Sequence, residues 1–173
     1  NTYTLKRLIL ITALCAIPVV WVIISNSSGG VGSKYKKLLP ELLKQHEQVS
    51  LITIQNHDES LTLQKNDNGW VALEHSNYPV ITAKVDNLLL NLSELQVIEP
   101  KTAKPELHEQ LGVNNINDPY SSAFLVTVKN NNGNDIAKLY IGNREEVQLS
   151  NKLQENIFVR LADESQTWLV QGV

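Results

Sequence analysis

The chain has 173 residues, room for about one domain, with 15 Lys and Arg against 18 Asp and Glu. Setting aside residues 1–33 removes Lys6 and Arg7 and no acid, which leaves 13 basic against 18 acidic residues. That mildly acidic remainder lacks the basic patch nucleic-acid recognition needs, so no nucleic-acid partner is expected.

Leu5 to Ile24 is a run of 20 residues whose only charges, Lys6 and Arg7, stand at its start. Its length matches a bilayer core of about 30 Å at about 1.5 Å per residue. An uncleaved transmembrane anchor is predicted over a signal peptide, because the apolar core is long and no Ala-x-Ala follows Ile24. Ser25 to Ser28 is the alternative cleavage region. The only cysteine, Cys15, lies inside this run, so the rest of the chain has no disulfide. Thr12 and Ala16 form a small-xxx-small pair suited to close helix packing, Pro18 predicts a kink, and Trp21 suits the membrane interface. Lys34, Lys36 and Lys37 follow the span, so charge alone does not orient it, although a short N-terminal tail favours the cytoplasm for the N-terminus.

Residues 26–33, NSSGGVGS, have the composition of a flexible linker. The division read from the chain is therefore 1–25 anchor, 26–33 linker and 34–173 domain. Thr167 to Val170 reads as a strand close to the last residue, so the domain is expected to continue past Val173. Leu38, Leu39, Leu42 and Leu43 make an apolar stripe on a short helix with Pro40 in its first turn; it either caps a core or lies on a membrane surface. Val49 to Ile54 is apolar on parts of both faces, as an inner strand would be. Two alternating runs flank Asn68-Gly69, which predicts a two-residue hairpin at that dipeptide. Val85, Leu88, Leu89, Leu92 and Leu95 define one face of a helix over 82–95, with Leu90 on the opposite side. Gln96 to Glu99 reads as a strand stopped by Pro100, and Glu106 to Leu111 as a short helix closed by Gly112. A second hairpin turns at Asn130 to Gly133, between 124–129 and 136–141. A third pair of strands spans 156–161 and 166–170. The two Asn-Gly turns suggest a half-repeat.

The candidate chemistry is sparse. His46, His57, His75 and His108 fall in different segments without a ligand-type partner at helical spacing, so no metal is expected. His57-Asp58-Glu59 has the residue types of a site, but adjacent side chains point apart. Glu145-Glu146 reads as a charged edge or loop. No catalytic set, phosphate loop or nucleophile elbow is present, and no cofactor is expected. Trp70 and Trp168 are candidate ligand-facing aromatics, with core anchoring as the competing reading. Leu90, among Asn87, Asn91 and Glu94, is a candidate partner contact.

Gly69-Trp70, Tyr78-Pro79, Lys84 to Leu95, Val97-Ile98-Glu99-Pro100-Lys101-Thr102-Ala103, Leu111-Gly112-Val113 and Trp168-Leu169-Val170 together resemble the bacterial family called domain of unknown function 4340. The resemblance implies a membrane-anchored envelope protein with its domain in the periplasm, beside ABC transporters of the gliding-motility type. It brings no catalytic residues.

The expected fold is α+β, an antiparallel sheet of hairpins packed against a central helix and preceded by one transmembrane helix. The expected function is a non-catalytic accessory subunit of an inner-membrane transport assembly, an ABC-type exporter, with permease and ATPase as partners. The alternative is a tethered periplasmic module that binds a lipid or glycan. An envelope enzyme is the third reading, disfavoured by the missing motifs.

Overall fold

The computed structural model describes residues 36–149 and 152–172. The predicted anchor, with Thr12, Ala16, Pro18 and Trp21, and the linker over 26–33 lie outside the described residues. No helix among the described residues is long and apolar enough to cross a membrane.

In chain order the elements are α1 (Pro40–Gln45), β1 (Val49–Gln55), β2 (Ser60–Asn66), β3 (Gly69–Ala72), β4 (Tyr78–Val80), α2 (Thr82–Glu94), β5 (Gln96–Pro100), β6 (Phe124–Asn130), β7 (Asp135–Leu149), β8 (Lys152–Leu161) and β9 (Thr167–Gln171). The described strands form one antiparallel sheet in the order β4-β3-β2-β1-β6-β7-β8-β9-β5. With two helices on that sheet, the architecture is α+β.

The helix α2 leaves one edge strand, β4, and delivers the chain to the other, β5. Nine strands lying flat would hold those edges about 38 Å apart. Thirteen helical residues span only about 20 Å. The sheet therefore coils around α2, and its concave face becomes the main core. Val85, Leu89, Leu92 and Leu95 from the helix meet Ile52, Leu63, Trp70, Val126, Leu139, Val159 and Val170 from strands across the whole sheet. The predicted apolar stripe is thus the buried face, with Leu88 partly buried beside it, and Leu95 turns out of the helix at ψ 120° to start β5. The helix α1 begins on Pro40 and buries Leu42 completely, with Leu39 beside it in the same core. Of its stripe, Leu43 remains 46% exposed.

The sheet edges discourage further pairing, since β4 carries Pro79 at its centre and β5 ends on Pro100, neither of which can donate a ladder hydrogen bond. The outer side of β5 is also bonded by the segment before α1, through Val97 N–H to the Lys36 carbonyl at 2.8 Å.

Three local expectations need correction. The β2–β3 loop is Asp67-Asn68, and Gly69 already pairs with Asn66. The turn depends on Gly69 taking φ +118° after the loop and on the Asn66 side chain accepting the Asn68 N–H at 2.9 Å. Asn130 repeats the device by accepting from Asn132 and Asn134, each at 3.0 Å, with Gly133 at φ +80°. The likeness stops there: one turn joins the second and third strands of its meander, the other the first and second.

Glu106 to Leu111 is not an α-helix. Only Pro105–Leu107 forms a 3-10 turn, and Val113 N–H then reaches back to the His108 carbonyl while Gly112 N–H reaches Glu109. This is the Schellman closure that Gly112, at φ +67°, was expected to provide, on a turn too short to be a helix.

The third correction concerns the strand bounds: Glu145-Glu146 lie within β7, not in a loop, and pair with Asn156 and Glu155 of β8. This stretch no longer pairs with β6 and is the charged edge, one of the two readings. The strands read as ending near Ile141 and starting near Asn156 instead run on as a two-stranded arm. Gly142-Asn143 form a bulge, marked by the register shift between Ile141 and Arg144.

That bulge receives the segment 105–113. A Cβ on Gly142 would stand 2.3 Å from the Leu111 carbonyl oxygen and 2.6 Å from Val113 Cγ1. Asn143 bonds the Leu111 carbonyl through its N–H at 2.9 Å and the Gln110 carbonyl through its amide at 3.2 Å. Gly142→Ala should therefore destabilise the full chain by about 1–3 kcal/mol, measured by urea unfolding. Unchanged stability would mean the segment does not sit against the bulge.

Candidate functional site

Many of the residues that carry the family resemblance are engaged in packing, while Tyr78 and Leu90 among them stand exposed. Thr102 and Thr167 clasp one another: Thr167 N–H and hydroxyl both donate to the Thr102 carbonyl at 2.7 and 2.8 Å, and Thr102 N–H donates to the Thr167 hydroxyl at 2.9 Å. Thr167 has no exposed surface. Glu99 and Lys101 form an ion pair at 2.5 Å, and the Lys101 ammonium stands 5.6 Å from the Phe158 ring centroid. Beyond this clasp, residues 105–123 cover the outer face of the sheet. Val113 and Ala123 there meet Leu125 and Tyr140 in a second, smaller core.

Arg160 is the buried centre of that outer layer. Its Nε donates to the Val113 carbonyl at 3.0 Å and its Nη1 to Glu164 and Ala162 at 3.0 and 3.4 Å, while the guanidinium stacks 4.2 Å from the Tyr140 ring centroid. His108 is buried here and bonds the Ser165 carbonyl through Nε2 at 2.9 Å. A carbonyl only accepts, so that nitrogen carries the proton.

The candidate aromatics sit on strands near opposite ends of the sheet order. Trp70 is 4% exposed within the main core, and Trp168 is half-buried against the same core. Leu90 is 52% exposed, on the side of α2 turned from the sheet, as its spacing predicts. The structure does not bring Trp70, Trp168 and Leu90 into one cavity among those described.

A cleft of about 510 Å³ does open at the end of the concave face. Its floor is Ile54 and Leu61, opposed on β1 and β2, with Phe124 as a wall. Asn56, Glu59, Ser60, Glu74 and His75 complete the lining. A second, adjoining cleft of about 370 Å³ adds His57, Asp58, Ile116 and Asn117. The suggestive His57-Asp58-Glu59 run is explained by turn geometry. Asp58 and Glu59 N–H groups bond the Asn56 side chain at 2.9 and 2.7 Å, and His57 Nδ1 donates to the Ile116 carbonyl at 3.1 Å.

Glu74 stands where β3 has left the sheet, and its carboxylate accepts the Thr62 N–H at 2.7 Å. Hydrogen bonds from Thr62, its hydroxyl foremost and then its N–H, hold the Glu74 carboxyl below the ordinary carboxylate range. A depressed folded value stabilises the fold above the unfolded pKa, and that contribution is lost as pH falls through the folded value. Carboxyl NMR should find Glu74 titrating below a free Glu, and Thr62→Val should move its midpoint up. An ordinary midpoint in both proteins would contradict the hydrogen bond.

The cleft was not read from the sequence, because Phe124 scans as the first residue of an inward-facing strand. Only its position next to the Ser121-Ser122-Ala123 run, at the strand's outer end, hints that helix cover stops short of it.

A family model described as Domain of unknown function (DUF4340) matches residues 70–173. No curated protein and no solved structure matches the chain.

Proposed function

The chain belongs to the DUF4340 family, and from that membership we propose that it is a non-catalytic accessory subunit of an inner-membrane transport assembly, an ABC-type exporter. The observation that carries this reading is the engagement of the later part of the family signature in packing. Thr102, Gly112, Val113 and Leu169 are held by hydrogen bonds or burial and line none of the cavities described above. In this reading Leu5 to Ile24 anchors the protein in the bacterial inner membrane as a single pass. Thr12 and Ala16 let a permease helix approach, and the domain docks on the periplasmic face. Leu90, a large apolar side chain standing exposed on the outer side of α2, supports a docking role.

The test is purification of the tagged full chain after gentle detergent extraction. Stoichiometric recovery of an ATPase and a permease is expected. Recovery of a lone monomer carrying a lipid or glycan would contradict it in favour of a tethered ligand-binding module.

A further inference from the structure

We propose that the cleft walled by Phe124 is a docking site for a cationic peptide segment of a partner protein, one that inserts an aliphatic or aromatic side chain between flanking Lys or Arg residues. The proposal rests on the accessory-subunit reading and names the chemistry of one contact that reading requires.

Three features carry it. Phe124 is 46% exposed and belongs to neither core cluster, although Ile54 and Leu61 beside it pack against the main core. A large apolar wall left in water at the end of a hydrophobic floor gains by being covered. The rim supplies the sign of the partner: Glu59 and Glu74 line this cleft and Asp58 the adjoining one, and no Lys or Arg is among the described residues lining either. Finally, the rim is already ordered. Asn56 fixes the turn bearing Asp58 and Glu59, and Thr62 fixes the Glu74 carboxylate, which Thr62 also holds in its ionised form. A preformed anionic rim lowers the ordering cost of binding. A peptide fits better than a small ligand because small-molecule sites enclose most of their occupant, whereas here the wall itself is half in water.

The experiment uses the full chain in a neutral detergent and a fluorescein-labelled Lys-Leu-Lys-Phe-Lys peptide, followed by anisotropy at low salt. Controls are Glu-Leu-Glu-Phe-Glu and Lys-Ser-Lys-Ser-Lys. The cationic apolar peptide is expected to bind about tenfold or more tightly than either control, with affinity falling as salt rises. Phe124→Asp and Glu59→Lys should each weaken it about tenfold, a loss of about 1.4 kcal/mol. Circular dichroism checks that Phe124→Asp is folded, and Glu59→Lys, on an exposed turn, carries the test if it is not. Equal binding of the anionic peptide, or unchanged affinity in the folded variants, would overturn the proposal. So would displacement by tetrapropylammonium as effective as by unlabelled peptide, which would mark a small-molecule site. A Phe124-dependent dimer that binds no peptide would make the occupant a second copy. Recovery of ATPase and permease without peptide selectivity removes this cleft and leaves the accessory-subunit reading standing. Peptide selectivity without those subunits does the reverse.

Discussion

Leu89→Ala in the full chain should lower stability by about 2–5 kcal/mol, whereas Leu90→Ala should change it by less than about 1 kcal/mol. The two residues are neighbours in one helix of uniform regularity, so propensity cannot separate them. Burial does: Leu89 is 3% exposed inside the coiled sheet and Leu90 is 52% exposed. Truncating Leu89 leaves a void that strands from both ends of the sheet would have to move to fill. Urea unfolding of the two variants measures the contrast. Equal destabilisation would mean α2 is covered on both sides, and Leu90 would lose its standing as a partner contact. With the contrast in place, Leu90→Asp should leave the chain folded while lowering recovery of the transporter subunits.

The second large effect belongs to Arg160. Arg160→Met keeps most of the side-chain volume but leaves the carbonyls of Val113, Ala162 and Glu164 without their donor and removes the cation from the Tyr140 ring. The expected cost is about 2–4 kcal/mol, dominated by the buried Val113 acceptor left unpaired. Arg160→Lys should recover only part of it, because one ammonium cannot reproduce the fork that reaches carbonyls from two loops. A loss below about 1 kcal/mol in Arg160→Met would mean that the outer layer holds without this centre.

How much of this was legible in the sequence follows from periodicity. The helix face from Val85 to Leu95, the inner strand at Val49 to Ile54 and the turns near Gly69 and Gly133 each state their pattern within a dozen residues. The structure shows them close to where they were read. The arm beyond Ile141 was missed because polar residues such as Glu145 and Glu146 fill positions that alternation would otherwise mark. Glu106 to Leu111 was misread as a helix because Pro105, Glu106 and Gly112 are helix-boundary residues. They act here at the two ends of a single turn. Arg160 and the cleft were invisible for a different reason. Each is assembled from residues far apart in the chain, Val113 with Glu164 in one case and Leu61 with Phe124 in the other. The coiling of the sheet follows only once the pairing of β5 with β9 is known, since that pairing forces a short helix to bridge the two edges.

The central claim is that the family signature builds the domain and that function lies on its surface. Thr167→Val tests it most directly, since valine keeps the shape and removes only the hydroxyl clasped to Thr102. Urea unfolding of the full chain should show a loss of about 1–3 kcal/mol, with recovery of the transporter subunits falling only as far as the folded fraction falls. Loss of those subunits at unchanged stability would place the functional site at the clasp and contradict the account.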